Sequence, residues 1–178
     1  AAIRYELGPV KVNCVVQRGV NEHQIPKLVR KFRGTGVIVR FIEFMDVGST
    51  NGWTEGQVVP TSEIIEFLSS EFDLTPLARK SASDVASRWA HSDGSGEIGF
   101  ISSVSQPFCG DCVRARLSSD GKFYTCLFTT MGHDMSTMIR SGRKTEDLTQ
   151  SIEEVWSARK DKYSEKRSSG VISLPRVE

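Results

Sequence analysis

Charge of one sign is scarce in this chain: 23 Lys and Arg stand against 22 Asp and Glu, a formal net charge of +1 over 178 residues. That balance provides no long-range field to gather nucleic acid or an anionic membrane, so any bound anion must be held by a local cluster. Long hydrophobic runs are lacking too. No apolar stretch approaches the roughly 18 residues needed to span a bilayer. The opening Ala1-Ala2-Ile3-Arg4-Tyr5-Glu6 also lacks the basic-then-apolar layout of a signal peptide. These absences predict a soluble, cytosolic protein with no membrane and no DNA or RNA partner. No internal repeat is visible, and 38% apolar residues suffice for one ordinary domain or two small ones.

Alternating α and β signals fill the first part. Val10 to Val16 is rich in β-branched residues, and Asn21 with Gln24 three positions on predicts a capping box opening a helix through Arg33. Gly34-Thr35-Gly36 stops that helix, Val37 to Met45 reads as a second strand, and 46–52 as turn. A second helix is expected after Pro60, capped by Thr61 or Ser62, with Ile64, Ile65, Phe67, Leu68 and Phe72 on one face. Strand, helix, strand, helix implies parallel βαβ pairing.

Period-2 alternation puts Lys11, Asn13 and Val15 on one face, and Phe41, Glu43 and Met45 on one face, with Arg40 on the opposite side from the latter three. Buried parallel strands usually avoid such polar residues. Either this face lines a cavity or active site, or Lys11 and Glu43 pair in a solvated groove.

Beyond Thr75 the texture turns polar, with loop-like stretches at 79–84 and 92–96. A short strand follows at Glu97 to Ser102. Asp120-Gly121 marks a hairpin between Arg114–Ser118 and Lys122–Cys126. Helices are expected near Asp134 to Arg140 and Thr145 to Lys160, the second with Leu148, Ile152, Val155 and Trp156 on one side. Residues 162–178 are basic and serine-rich and read as extended or mobile.

Cysteine is also rare, but its placement is not random. Of the four, at 14, 109, 112 and 126, three fall within eighteen residues. In a reducing compartment such a cluster points to metal rather than disulfides. The C-x2-C turn sets two sulfurs on one side of a loop, and the hairpin returns Cys126 towards them. With His133 as fourth ligand the set suits a closed structural zinc site, giving a binding module without catalysis. Without it, three cysteines suit a cubane iron–sulfur cluster with one open iron. Beside them, Arg114 and Arg116 point the same way on a strand, as paired guanidinium groups that bind phosphate do, although a solvated surface face has the same pattern. Cys14 alternates with Val10, Val12 and Val16, away from Lys11, and is expected to be an inert, helix-covered residue.

The run PFCGDCVRARLSSDGKFYTCLF at 107–128, with PVKVNCVVQRGVN at 9–21 and VRFIEFMDVG at 39–48, closely resembles the GTP 3',8-cyclase (MoaA) family of molybdenum cofactor biosynthesis, a group of radical S-adenosylmethionine enzymes. The likeness extends to about Lys160. It implies that Cys109, Cys112 and Cys126 hold a [4Fe–4S] cluster whose open iron meets the guanine base of GTP. It further implies that Lys11, Arg114 and Arg116 bind GTP and that Met45 lies against S-adenosylmethionine. The reaction implied is conversion of GTP to 3',8-cyclo-7,8-dihydro-GTP, begun when a 5'-deoxyadenosyl radical abstracts hydrogen from the ribose. Binding energy would go into alignment, since a radical needs its target hydrogen close.

The family's Cys-x3-Cys-x2-Cys loop, which binds the cluster that cleaves S-adenosylmethionine, does not occur here, nor does its double-glycine C-terminus. The expected fold is therefore α/β: the last two βα units of an incomplete radical-S-adenosylmethionine (β/α)6 barrel over residues 1–74, then a C-terminal α+β iron–sulfur domain over 75–178. The expected partners are GTP, the missing N-terminal half of the barrel, and a second copy of the chain at an unpaired strand edge.

Overall fold

A computed structural model describes residues 1–47 and 52–168. The described residues divide into two compact units, one comprising residues 1–46 and 52–108, the other residue 47 and residues 109–168.

The first unit is built on a mixed five-stranded sheet. Its strands are β1 (Lys11–Val16), β2 (Ile38–Glu43), β3 (Leu74–Leu77), β4 (Ser87–His91) and β5 (Glu97–Ile101), in the spatial order β1-β2-β5-β4-β3. β1, β2 and β5 run parallel, while β4 is antiparallel to both β5 and β3. Two helices, α1 (Ile25–Phe32) and α2 (Thr61–Ser69), follow β1 and β2 as the sequence predicts. The sheet is open, with β1 at one edge and β3 at the other, so the described residues do not close a barrel.

Helices and sheet meet in one core. Val16, Val39, Phe41, Ile98 and Phe100 of the sheet pack with Ile25 and Val29 of α1 and with Ile64, Leu68 and Phe72 in and after α2. Phe41 and Phe100 stack with ring centroids 6.1 Å apart, and Trp89 meets Phe100 edge-on at 6.4 Å. Each such fully buried side chain contributes about 1.5–3 kcal/mol through loss of apolar hydration.

Several local expectations are corrected. Asn21 does not cap a helix: its side chain accepts the Gln17 N–H at 2.9 Å and donates to the Val15 carbonyl at 2.8 Å, bracing the end of β1. A 3-10 turn over Glu22–Gln24 intervenes, and α1 starts at Ile25 with Pro26 in its first turn, where the missing N–H costs nothing. α2 begins directly after Pro60 without a side-chain cap from Thr61 or Ser62, and Phe67 is 51% exposed rather than part of the buried face. The loop-like stretches at 79–84 and 92–96 fall between strands, and the two strands on either side of the first, β3 and β4, had no expectation: β4 pairs with β5, and β3 with β4. The sheet thus runs on from β2 through β5, β4 and β3.

The second unit carries a three-stranded antiparallel sheet of β6 (Arg116–Leu117), β7 (Lys122–Tyr124) and β8 (His133–Asp134). The Asp-Gly hairpin forms as predicted, with Arg116 opposite Tyr124 and Leu117 opposite Phe123. Gly121 sits at φ 80°, in the left-handed region that favours glycine, and a Cβ there would lie 2.6 Å from Ser136. Then come α3 (Ser136–Arg140), α4 (Thr145–Ser157) and α5 (Tyr163–Ser168). The last of these replaces part of the segment expected to be extended. The remainder of that segment, and most of the expected turn at 46–52, lie outside the described residues.

Candidate functional site

The cysteine segment lies wholly in the second unit. Cys109 to Ala115 precedes β6 and has no ladder bonds. It contains a turn in which the Cys112 N–H donates to the Cys109 carbonyl at 3.2 Å. This is the C-x2-C turn the spacing predicts. Cys126 stands two residues past the end of β7, so the hairpin carries it back towards that turn. All three thiols are free and half-buried.

Their surroundings differ in charge. Burial pushes the Cys112 thiol up. The Arg114 backbone N–H and guanidinium, with the charges of Arg114 and Arg159, outweigh burial and leave it below the ordinary thiol range. Arg114 Nη2 lies 3.4 Å from Cys112 Sγ. Cys126 goes the other way. Burial raises it, the charges of Asp161 and Cys109 add to the rise, and the Phe128 N–H and Arg116 offset only part. Arg114 and Arg159 thus act on Cys112, and Arg116 acts on Cys126.

Arg114 itself stands just outside β6, and Arg116 opens that strand with its Nη1 at 3.5 Å from the Arg114 carbonyl. Among the described residues Arg116 has no carboxylate partner. His133 lies exposed on β8, in register with Phe123. Among the described residues no three His, Cys, Asp or Glu side chains are gathered closely enough to hold a metal ion, which applies equally to the set of Cys109, Cys112 and Cys126 and to the same set with His133.

In the first unit, the register decides which polar residues share a face. Lys11 pairs with Ile38, Asn13 with Arg40 and Val15 with Ile42, while Cys14 pairs with Phe41 and Val16 with Glu43. Partners in a parallel pair project to the same side. Glu43 therefore belongs to the helix-covered face with Val39 and Phe41, and Lys11 belongs to the other face with Asn13 and Arg40. Of the two alternatives, the pairing of Lys11 with Glu43 does not form, since they lie on opposite faces. Glu43 is completely buried and accepts N–H groups from Thr61, Val104 and Ser105, each at 2.8 Å, besides the Ser105 hydroxyl. It is a structural anchor with its acceptor sites filled. Met45 lies two residues past β2, where strand alternation no longer assigns a face, and is half-buried.

Arg40, which alternation placed opposite Phe41, Glu43 and Met45, is set by the register beside Asn13. It shares its face with exposed Lys11 and Asn13, and among the described residues neither cation has an ion-pair partner. Its side chain crosses Gly99 on β5, where an added Cβ would lie 3.0 Å from Arg40 Cγ. A larger residue there would make the Arg40 side chain shift. Cys14 meets its expectation: it projects from the face opposite Lys11, packs against the hydrophobic core, and burial raises its thiol.

No helix among the described residues is long and apolar enough to cross a membrane. Residues 37–165 match the family described as Molybdenum Cofactor Synthesis C. A GTP 3',8-cyclase of Xanthomonas axonopodis pv. citri is 52% identical over 160 residues, covering 90% of this chain and 47% of that protein. Similar proteins of the same name from Staphylococcus epidermidis and Staphylococcus carnosus are each 45% identical, over 92% and 93% of this chain and 48% and 49% of their own lengths. The chain spans about half the length of the curated relatives it matches. By the family match over β2 to α5 and by this identity, the chain belongs to the Molybdenum Cofactor Synthesis C family and is homologous to the C-terminal region of GTP 3',8-cyclases.

Proposed function

We propose that this chain is the GTP-holding part of a GTP 3',8-cyclase acting in molybdenum cofactor biosynthesis in the cytoplasm. Cys109, Cys112 and Cys126 are its ligands for a [4Fe–4S] cluster. The observation that carries this reading is the set of three free, half-buried thiols, two on a closed C-x2-C turn and one at the end of a hairpin, with Arg114 against one of them. Thiolates are the ligands iron–sulfur clusters require, and cations beside them favour the deprotonated form. When bound, the cluster supplies an open iron to which a purine nitrogen or oxygen can bind.

The protein's own contribution is positioning and charge. Arg114 and Arg116 hold phosphate oxygens, and Lys11, joined by Arg40 on its face of the sheet, does the same from β1 and β2. Arg116, Lys11 and Arg40 have no carboxylate partner among the described residues and so meet an anionic ligand without breaking an ion pair there. Met45 packs against S-adenosylmethionine. β1 and β2 are the closing strands of the barrel that binds that cofactor, residues 1–74 belong functionally to that barrel, and residues 75–178 belong to the GTP domain. The exposed β1 edge is where the rest of the barrel, or a second copy, pairs.

Anaerobic reconstitution with iron and sulfide tests the reading. The expected product is brown, with about four iron and four sulfide per chain, and binds GTP. Zinc bound with four-ligand stoichiometry in place of iron overturns it.

A further inference from the structure

The cysteine segment has no strand partners of its own, yet it is held from one short stretch of chain. Arg159, just past α4, donates from Nη2 to the Cys112 carbonyl, and its guanidinium lies 4.1 Å over the Trp156 ring. Asp161 accepts the hydroxyl of Thr125, the residue before Cys126. Glu165 on α5 accepts the Gly110 N–H at 3.0 Å, inside the C-x2-C turn, and its other oxygen lies 3.5 Å from Lys162 Nζ. Tyr163 stacks on Phe128, two residues past Cys126, with ring centroids 4.4 Å apart at 15°.

Contacts from residues 159–165 therefore reach both cysteine-bearing segments. We propose that this stretch is a strap that sets the position of the Cys109–Cys112 turn relative to Cys126, with Arg159, Asp161 and Glu165 as positioning residues for the three thiols. The physical case is one of preorganisation. A turn closed by one backbone hydrogen bond samples many arrangements, and each outside contact removes some of them before a ligand arrives. The inference rests on the reading of the thiols as iron ligands, but its test does not need iron.

The experiment uses the full, metal-free chain carrying Cys112→Ser, so that Cys109 and Cys126 are the free thiols left in the second unit. Dibromobimane, a short reagent that bridges neighbouring thiols, is added and the Cys109–Cys126 product is quantified by peptide mass spectrometry. The parent is expected to bridge. Glu165→Ala and Arg159→Ala should lower the yield at least about threefold, the effect of losing part of a charged hydrogen bond. Glu165→Gln, which keeps an acceptor oxygen for Gly110 but loses the charge facing Lys162, should stay within about twofold of the parent. Thr125→Val against Thr125→Ser gives the same comparison from the other end of the strap, should the alanine variants fail to fold.

A parent that does not bridge, equal yields throughout, or a Glu165→Gln loss as large as that of Glu165→Ala overturns the strap. Iron content after reconstitution separates the two readings. A parent that takes up no iron while bridging still depends on Glu165 overturns the cluster reading alone. Iron uptake with bridging indifferent to the strap overturns the strap alone.

Discussion

Glu43 Oε1 accepts the backbone N–H of Thr61 at 2.8 Å, tying the last residue of β2 to the first residue of α2. The same carboxylate takes the N–H groups of Val104 and Ser105, and Ser102 Oγ reaches Thr61 Oγ1 at 2.8 Å. One buried side chain thus stands in for the missing helix cap and pins the loop after β5. A negative group at a helix N-terminus also meets the positive end of its dipole.

Glu43→Ala should therefore destabilise the chain by about 3 kcal/mol or more, since three backbone donors lose their acceptor in a dry site. Glu43→Gln should cost about half as much, because one oxygen still accepts. Urea denaturation read by tryptophan fluorescence checks both. A loss below about 1 kcal/mol for the alanine variant, the range of a surface change, would show that the loop is not anchored here.

Arg114→Ala should weaken GTP about tenfold or more while guanosine binding stays nearly constant, because only the triphosphate uses the guanidinium. Arg40→Ala should behave likewise without loss of thermal stability, as it breaks no ion pair. Gly99→Ala should mimic Arg40→Ala in part by displacing its side chain. Calorimetric titration of both ligands decides the matter, and equal weakening of GTP and guanosine would remove these arginines from the phosphate.

Cys14→Ala should leave reconstituted iron unchanged, whereas Cys112→Ala should lose most of it. Cys14 is packed on the core of the first unit, and Cys112 lies on the turn in the second. Equal iron loss in the two variants contradicts the ligand assignment.

His91 predicts a pH dependence. It is buried against Phe72, with ring centroids 5.7 Å apart, and its Nδ1 has no partner among the described residues. Burial first, and the Arg33 charge second, hold its pKa below the ordinary histidine value, with Asp93 opposing in part. The unfolded chain then binds a proton that the folded chain refuses. This contribution to stability is complete above about pH 6.5 and is lost progressively as pH falls below that value. His91→Leu should flatten the slope between about pH 7 and pH 5. Thermal melts across that range that are parallel for both proteins would exclude His91 as the source.

This polypeptide alone should produce no 5'-deoxyadenosine from GTP, S-adenosylmethionine and a strong reductant. Its only clustered cysteines are the three assigned to substrate, and a thioether such as Met45 supplies no electron. Product above a no-protein control, measured by chromatography, would show that these cysteines cleave S-adenosylmethionine.

Much of this was legible in the chain itself. The β-branched runs became β1 and β2, Asp120-Gly121 turned its hairpin, and the C-x2-C spacing closed its turn, because each depends on neighbours a few residues away. The motifs around the cysteines also carried the family likeness, which the match over residues 37–165 supports. The helix-covered face of β1 was legible, but what the sequence could not decide was which face of β2 matches it. Alternation sorts residues into two sets but does not orient those sets in space. Only the parallel register, with Asn13 opposite Arg40 and Val16 opposite Glu43, put Arg40 beside Lys11 and sent Glu43 inward to cap α2. Likewise β3 and β4 carry weak local signals: β4 forms along the edge of β5, and β3 along the edge of β4. Pairing and burial are long-range choices, and their energies are set by residues that meet only after the chain has folded.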